Sequence, residues 1–263
     1  MVVHSVLPGA LANAVAEVLG GAGIEHVAHP DGQAMAAAEA AASDERAVAL
    51  IGPYRSREVC EAVEATRPRG LPLLAPVATW VGVTRDDEPG AYDDPADHGG
   101  TILRLVARDT VVAQRIASDV RARGERALVL TGEHDYGVQL DGQLRVAGLP
   151  RAERAEDADL VVLGGLPGHP EVAEALATGL PIVAFDGPQS PELADALFAM
   201  PFAPGDDFAG VAAARRAAEL VAVTGGDLDA LRAAGPFDEH GDPLDPPVWL
   251  YRGTEPVREL PAG

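Results

Sequence analysis

Short apolar runs alternate with helical stretches along almost the whole chain, and this alternation restricts the fold more than any other feature of the sequence. The predicted strands are Val2–Leu7, Ile24–Ala28, Ala47–Ile51, Leu71–Leu74, Ile102–Leu105, Ala127–Leu130, Leu160–Leu163, Ile182–Phe185, Ala196–Met200 and Val248–Tyr251. The predicted helices are Leu11–Leu19, Gln33–Ala42, Ser56–Thr66, Thr110–Arg123, Tyr136–Val146, Pro170–Ala177 and Asp207–Val223. Strands and helices that repeat with short connections indicate parallel sheets covered by helices on both faces.

The alternation divides into two α/β units that are joined near Leu105–Asp109. The stretch 75–100 is irregular and rich in proline and glycine, which is typical of a functional or mobile loop. We predict an α/β fold of two doubly wound parallel-sheet lobes with a ligand cleft between them. The predicted lobes are 1–107 plus 205–235 and 108–204 plus 236–252, followed by a loose C-terminal tail, 253–263.

The charge composition excludes several classes of function. The chain has 263 residues and a formal net charge of −21, and all 20 of its basic residues are arginine. The absence of lysine excludes Schiff-base chemistry and the phosphate-binding lysine of a P-loop. The acidic balance disfavours nucleic acid as a partner. No apolar run is long enough for membrane insertion, and the first residues lack an export signal. We therefore expect a cytoplasmic protein, extracytoplasmic only if the true start lies upstream.

Signatures of catalysis and of metal binding are absent from the sequence. No serine lies in a G-x-S-x-G turn, and no H-E-x-x-H or G-x-G-x-x-G occurs in a suitable context. His26 and His29 lie three apart in a predicted strand, so they are expected on opposite faces. The sequence therefore predicts a protein that is not an enzyme, with no cofactor and no metal site.

Features suited to ligand binding follow two neighbouring predicted strands. Ser56 begins a helix directly after a buried strand, and the free N–H groups of a helix start suit a carboxylate. The alternative is that Ser56 only caps its helix. Thr79 offers a hydroxyl and Trp80 an apolar wall, although Trp80 also suits ordinary core packing. Arg57 suits a ligand with additional negative charge, or is simply solvated.

Six segments, taken in order, resemble the leucine/isoleucine/valine-binding branch of the type 1 periplasmic-binding-protein superfamily. The matching segments are Ala47–Ser56, Leu71–Thr79, Arg104–Asp109, Asp135–Leu140, Phe185–Leu193 and Phe237–Pro243. The resemblance covers most of residues 1–252. It implies that an amino-acid ligand lies between two lobes.

The resemblance also implies roles for individual residues. The ligand carboxylate is expected at Ser56, Ala78 and Thr79, and Tyr136 is expected to close over the ligand. The ligand ammonium is expected at Asp186, for which the alternative is a turn residue before Gly187.

These observations predict non-enzymatic binding of a small polar solute, an amino acid or a related zwitterion or acid, by a sensor or receptor. The alternative is a degenerate solute-binding fold that acts as a protein-interaction scaffold without a ligand, because the segment after the first strand is shorter than in the family. The expected partners are an amino acid-like small molecule, a regulatory protein or transporter, and a second copy of the chain in a homodimer.

Overall fold

The computed structural model describes residues 1–85, 100–165, 168–185, 191–201, 204 and 210–261 of the chain. The chain forms two compact units. Unit 1 comprises Met1–Ala107 and Gly205–Pro246, and unit 2 comprises Arg108–Pro204 and Pro247–Gly263. Among the described residues, no helix combines the length and the apolar character that crossing a membrane requires.

Unit 1 is built on a five-stranded parallel sheet with the strand order β2-β1-β3-β4-β5. Its strands are β1 (Val2–Val6), β2 (Glu25–His29), β3 (Ala47–Ile51), β4 (Leu73–Ala75) and β5 (Ile102–Arg104). Its helices are α1 (Gly9–Gly21), α2 (Ala34–Ser43), α3 (Ser56–Thr66), α7 (Val211–Thr224) and α8 (Leu228–Ala234).

The sheet of unit 1 is covered on both faces, as a doubly wound fold requires. Neighbouring residues of β3 show this, because Leu50 packs in one apolar cluster and Ile51 in another. The cluster around Ile51 contains residues of α1 and α7, and the cluster around Leu50 contains residues of α2 and α3. Burial on both faces explains why β3 is an unbroken apolar run rather than an alternating one.

Unit 2 is built on a six-stranded sheet with the order β11-β10-β9-β8-β7-β6. Its strands are β6 (Ala127–Leu130), β7 (Leu160–Leu163), β8 (Ile182–Phe185), β9 (Leu197–Met200), β10 (Trp249–Arg252) and β11 (Glu255–Glu259). Its helices are α4 (Asp109–Arg123), α5 (Asp135–Val146) and α6 (Pro170–Thr178). The strands β6 to β9 are parallel, whereas β10 and β11 are antiparallel to their neighbours. The second sheet is therefore mixed rather than wholly parallel.

Two predicted boundaries are corrected by the structure. Residues 236–246, which the sequence assigned to the second lobe, belong to unit 1 because Asp242 is bound to buried arginine in that unit. The tail 253–263 is not loose over its described part, because β11 pairs with β10 and Leu260 is buried. The Pro and Glu content of the tail concealed a strand whose side chains are mostly exposed.

Candidate functional site

The two predicted ligand segments of unit 1 are joined by a hydrogen bond. Because β3 and β4 are parallel neighbours, the start of α3 and the loop Pro76–Trp80 both lie at the carboxyl edge of the sheet. Ser56 Oγ accepts a hydrogen bond from the backbone N–H of Trp80 at 3.3 Å. Ser56 is the first residue of α3, whose N-cap is Arg55 with no side-chain cap. The capping interpretation of Ser56 is therefore wrong, and its hydroxyl joins the two segments instead.

Arg104, at the end of β5, fixes the loop from the other side. Its guanidinium is fully buried, and Nη1 donates to the carbonyl oxygens of Ala78 at 2.8 Å and Trp80 at 3.0 Å. Its Nη2 donates to Thr84 Oγ1 at 2.7 Å, and its Nε donates to Asp242 Oδ1 at 2.9 Å. A planar guanidinium with several fixed donors holds its acceptors in one geometry, so the conformation of the loop is set before any ligand arrives.

The charge of Arg104 is balanced by the segment that follows α8. Asp242 is 0% exposed and also accepts hydrogen bonds from Thr84 Oγ1 at 2.7 Å and from Arg85 Nε at 3.0 Å. Arg85 also forms an ion pair with Asp238. Among the described residues, two arginines therefore face two aspartates in a largely buried network, and this pairing offsets the cost of burying the charges.

The three residues of the loop that were predicted to contact a ligand are largely buried. Ala78 is 1% exposed, Thr79 8% and Trp80 7%. Trp80 belongs to the apolar cluster that includes Val59 and Val63 of α3, so its side chain takes part in core packing. The roles of Ala78, Thr79 and Trp80 toward a ligand stay predictions.

Arg57 is engaged at the surface. Its side chain is exposed, and its Nε donates to Glu61 Oε1 at 3.3 Å, one helical turn away. The preceding arginine, Arg55, forms a similar pair with Glu58 at 3.0 Å. Both guanidiniums already form ion pairs with carboxylates, which agrees with the interpretation that Arg57 is a solvated surface residue.

In unit 2, the structure describes one of the two predicted residues. Tyr136 is the second residue of α5 and is half-buried. Asp186 follows β8 and lies outside the described residues. The roles of both residues stay predictions.

Sequence reasoning missed a cluster of ionisable side chains in unit 2. His134 precedes α5, whereas His169 and Glu171 lie at the start of α6. Glu171 Oε1 lies 3.1 Å from His134 Nε2 and 3.3 Å from His169 Nδ1. No short motif joins residues so far apart in the chain. The only sequence signal is that both histidines directly precede helices that follow parallel strands.

Cys60, the chain's single cysteine, is not a candidate nucleophile. Burial raises the pKa of the Cys60 thiol to about 11. A thiol with this pKa is protonated at neutral pH and unreactive as a nucleophile.

Comparisons with known proteins find structural neighbours only. No protein-family model matches the chain, and no curated protein matches its sequence. An ABC transporter substrate-binding protein from Desulfitobacterium hafniense superposes with a TM-score of 0.74 at 19% identity, covering 98% of this chain and 99% of the other. The branched-chain amino acid binding protein LivJ from Streptococcus pneumoniae, solved with isoleucine, gives 0.70 at 15% identity, with coverage of 98% and 99%. A solute-binding protein from R. palustris, solved with benzoate, gives 0.70 at 15% identity, with coverage of 98% and 95%.

These similarities establish the fold. The chain has the type 1 periplasmic-binding fold, and its structural neighbours include branched-chain amino acid transporter substrate-binding proteins. The predicted α/β class with two sheet-based lobes and the resemblance found in the sequence are thereby confirmed, although the sheet of unit 2 is mixed. At these identities the likeness shows the fold and not the ligand.

Proposed function

We propose that this protein binds a small carboxylate-bearing solute, an amino acid or a related acid, without transforming it. The observation that supports the proposal best is the hydrogen bond from Trp80 N–H to Ser56 Oγ, which joins the start of α3 to the loop after β4. Arg104 holds the same loop through two carbonyl oxygens. The edge of unit 1 is therefore organised in advance around a helix start.

The chemistry of this edge suits an anion. The first N–H groups of a helix lack acceptors within the helix, and the positive end of the helix dipole favours a carboxylate. A serine hydroxyl both donates and accepts, so Ser56 retains its own hydrogen for a ligand while its oxygen accepts from Trp80. Hydrogen bonds to a charged acceptor are stronger than those between neutral groups, so this arrangement favours a carboxylate over an amide.

The ligands seen in the structural neighbours share this group. One neighbour is solved with leucine, one with isoleucine and one with benzoate. Leucine and isoleucine are zwitterions, whereas benzoate has no ammonium group, and the carboxylate on an apolar body is common to all three. This shared chemistry supports a carboxylate at Ser56, Ala78 and Thr79 of unit 1.

An amino-acid ligand also has an ammonium group, which needs its own partner in the protein. A zwitterion needs an acidic partner for its amine, and we assign this role to Asp186, with Tyr136 as the aromatic residue that covers the ligand. The expected protein partner and the homodimer stay predictions.

The experiment is a thermal-shift screen of the purified protein with leucine, isoleucine, phenylalanine, glutamate and benzoate. A ligand at about 100 times its Kd stabilises the folded state by about 2.7 kcal/mol, which raises Tm by several degrees. Calorimetry on a hit should show at least about tenfold weaker binding in Ser56→Ala, since a hydrogen bond to a charged group contributes about 1.5–3 kcal/mol.

The matched control is Ser118→Ala, which removes a hydroxyl of unit 2 that accepts a hydrogen bond from Arg121 at 3.3 Å and should leave affinity unchanged. Asp186→Asn should weaken the binding of amino acids and leave the binding of benzoate unchanged. A panel without any shift at millimolar concentration would reject the binding function and favour the scaffold alternative.

A further inference from the structure

Three side chains that the proposed function does not use meet at the carboxyl edge of the sheet in unit 2. His134 lies between β6 and α5, and His169 and Glu171 lie between β7 and the first turn of α6. One nitrogen of each imidazole and one carboxylate oxygen all lie within 4.8 Å of one another. Two imidazoles and a carboxylate are a common ligand set for zinc and neighbouring transition metals.

The backbone is shaped around the carboxylate of Glu171. A Cβ atom at Gly132, which follows β6, would collide with Glu171 Oε1, and a Cβ atom at Gly165, which follows β7, would collide with Glu171 Cγ. Gly132 also has a φ of 74°, which side-chain-bearing residues rarely adopt. A side chain at either strand end would therefore force Glu171 out of the conformation that it has here. Glu171 is 6% exposed, so its carboxylate lies inside unit 2, whereas the two histidines are partly exposed.

The carboxylate of Glu171 has hydrogen-bond partners in this position. Both His134 Nε2 and His169 Nδ1 lie within hydrogen-bond distance of Glu171 Oε1. A buried carboxylate is costly unless it is paired. The two imidazoles are the partners that the structure provides.

We propose that His134, His169 and Glu171 bind a divalent transition metal ion of the zinc class. With metal–ligand bonds of about 2.0–2.1 Å and tetrahedral angles, neighbouring ligand atoms lie about 3.3 Å apart. The distances of 3.1 and 3.3 Å from Glu171 Oε1 to the two imidazole nitrogens already match two edges of this tetrahedron. Three protein ligands leave one coordination position for water or for a small molecule. This site extends beyond the proposed function and does not depend on it.

The hydrogen bonds of His134 determine which ring nitrogen carries the proton before a metal ion binds. Its Nδ1 accepts from Gly137 N–H at 3.1 Å, so the neutral ring carries its proton on Nε2 and donates it to Glu171. Coordination through Nε2 would require the ring proton to leave Nε2 and, by exchange through water, to reach Nδ1, and a protonated Nδ1 can no longer face the Gly137 N–H. The hydrogen bond from Gly137 is given up in exchange. The metal then replaces the hydrogen-bonded contacts between Glu171 and the two rings.

The test uses the untagged full-length chain, dialysed against a chelator and titrated with Zn²⁺ by calorimetry and with Co²⁺ by visible absorption. We expect one equivalent to bind in the wild type. Loss of even an outer-shell partner typically costs 10–100-fold in metal affinity, so His169→Ala should weaken binding by at least about tenfold. His134→Ala and Glu171→Gln should weaken it similarly. The intensity and shape of the Co²⁺ spectrum should change in all three variants.

The matched control is His240→Ala, which removes a partly exposed histidine of unit 1 that also lies next to a glutamate, at 3.5 Å from Glu239. This variant should bind like the wild type. His169 is itself partly exposed, so its replacement should leave the fold intact, which circular dichroism verifies. Absence of a saturable equivalent in the wild type would overturn the proposal, and so would equal binding by the wild type and His169→Ala.

Discussion

At the scale of single residues, Arg104 determines the geometry of the candidate binding edge. It is the largest fully buried side chain of the described structure, and it joins the loop Pro76–Trp80 to Asp242, which lies far away in sequence. From the sequence, Arg104 was only part of a segment that resembles the family. Its burial and its contacts depend on tertiary packing, so no local pattern predicts them.

We expect Arg104→Met to lower the free energy of unfolding by about 3 kcal/mol, because it leaves Asp242 buried with only part of its compensation. Urea unfolding followed by circular dichroism measures this change. The control is Arg154→Met, whose exposed pair with Asp157 should contribute less than about 1 kcal/mol. Equal stability of Arg104→Met and the wild type would show that the buried network does not stabilise unit 1.

At the scale of elements, the alternation of apolar runs and helices was sufficient to place most strands. The strands β3, β6, β7 and β8 have the predicted bounds, because buried parallel strands are short apolar runs between turn residues. The sequence missed α8 and β11. The strand β11 lacks an apolar pattern since most of its side chains are exposed, and only its pairing with β10 defines it.

The anchoring of β11 predicts a loss of stability on a single substitution. Leu260 is 1% exposed, and its carbonyl oxygen accepts a hydrogen bond from Arg115 of α4 at 3.3 Å. Leu260→Ala should lower the free energy of unfolding by about 2–4 kcal/mol, as removal of a buried leucine usually does. Val257→Ala, at a position that is 49% exposed, should change it by less than about 0.5 kcal/mol. If Leu260→Ala left the free energy of unfolding unchanged, the tail would be loose, as the sequence predicted.

The strand pair β1–β2 contains three histidines whose positions follow from strand geometry. His29 Nε2 lies 3.0 Å from His4 Nδ1, and His26 Nε2 lies 2.8 Å from Ser5 Oγ. Since His4 and Ser5 are neighbours in β1, His26 and His29 lie on opposite faces, as predicted. Burial is the main cause that lowers the pKa of all three histidines below 6.5, and in His4 it outweighs the opposing effect of Asp44.

These lowered pKa values make stability depend on pH. The unfolded chain takes up protons near pH 6.5, whereas the folded chain resists protonation of these rings until a lower pH. The contribution of these histidines to stability is therefore fully present above pH 6.5. It is lost as the pH falls from there through the lower pKa values of the folded chain. Unfolding in urea at about pH 7.5 and about pH 5.5 should show a smaller loss for His29→Gln than for the wild type. Identical losses in His29→Gln and the wild type would contradict this account.

At the scale of the whole molecule, the fold was readable from the sequence and the site only in part. The repeat of strands and helices predicts the α/β class because it is a property of consecutive residues. The contact between Ser56 and Trp80 and the cluster around Glu171 join residues from different repeats. Such contacts depend on which strands become neighbours, and periodicity does not specify this order. The sequence therefore predicted the candidate binding edge of unit 1 but not the hydrogen bonds that organise it.

The central claim is that a carboxylate-bearing solute binds where α3 begins, beside the loop after β4. The most direct measurement is an amide NMR spectrum of the isotope-labelled protein, recorded during titration with leucine, isoleucine and benzoate in turn. We predict saturable shifts of the Ser56, Arg57 and Thr79 amide signals with at least one of these ligands. Unchanged spectra at millimolar concentrations, or shifts confined to residues remote from this edge, would contradict the account.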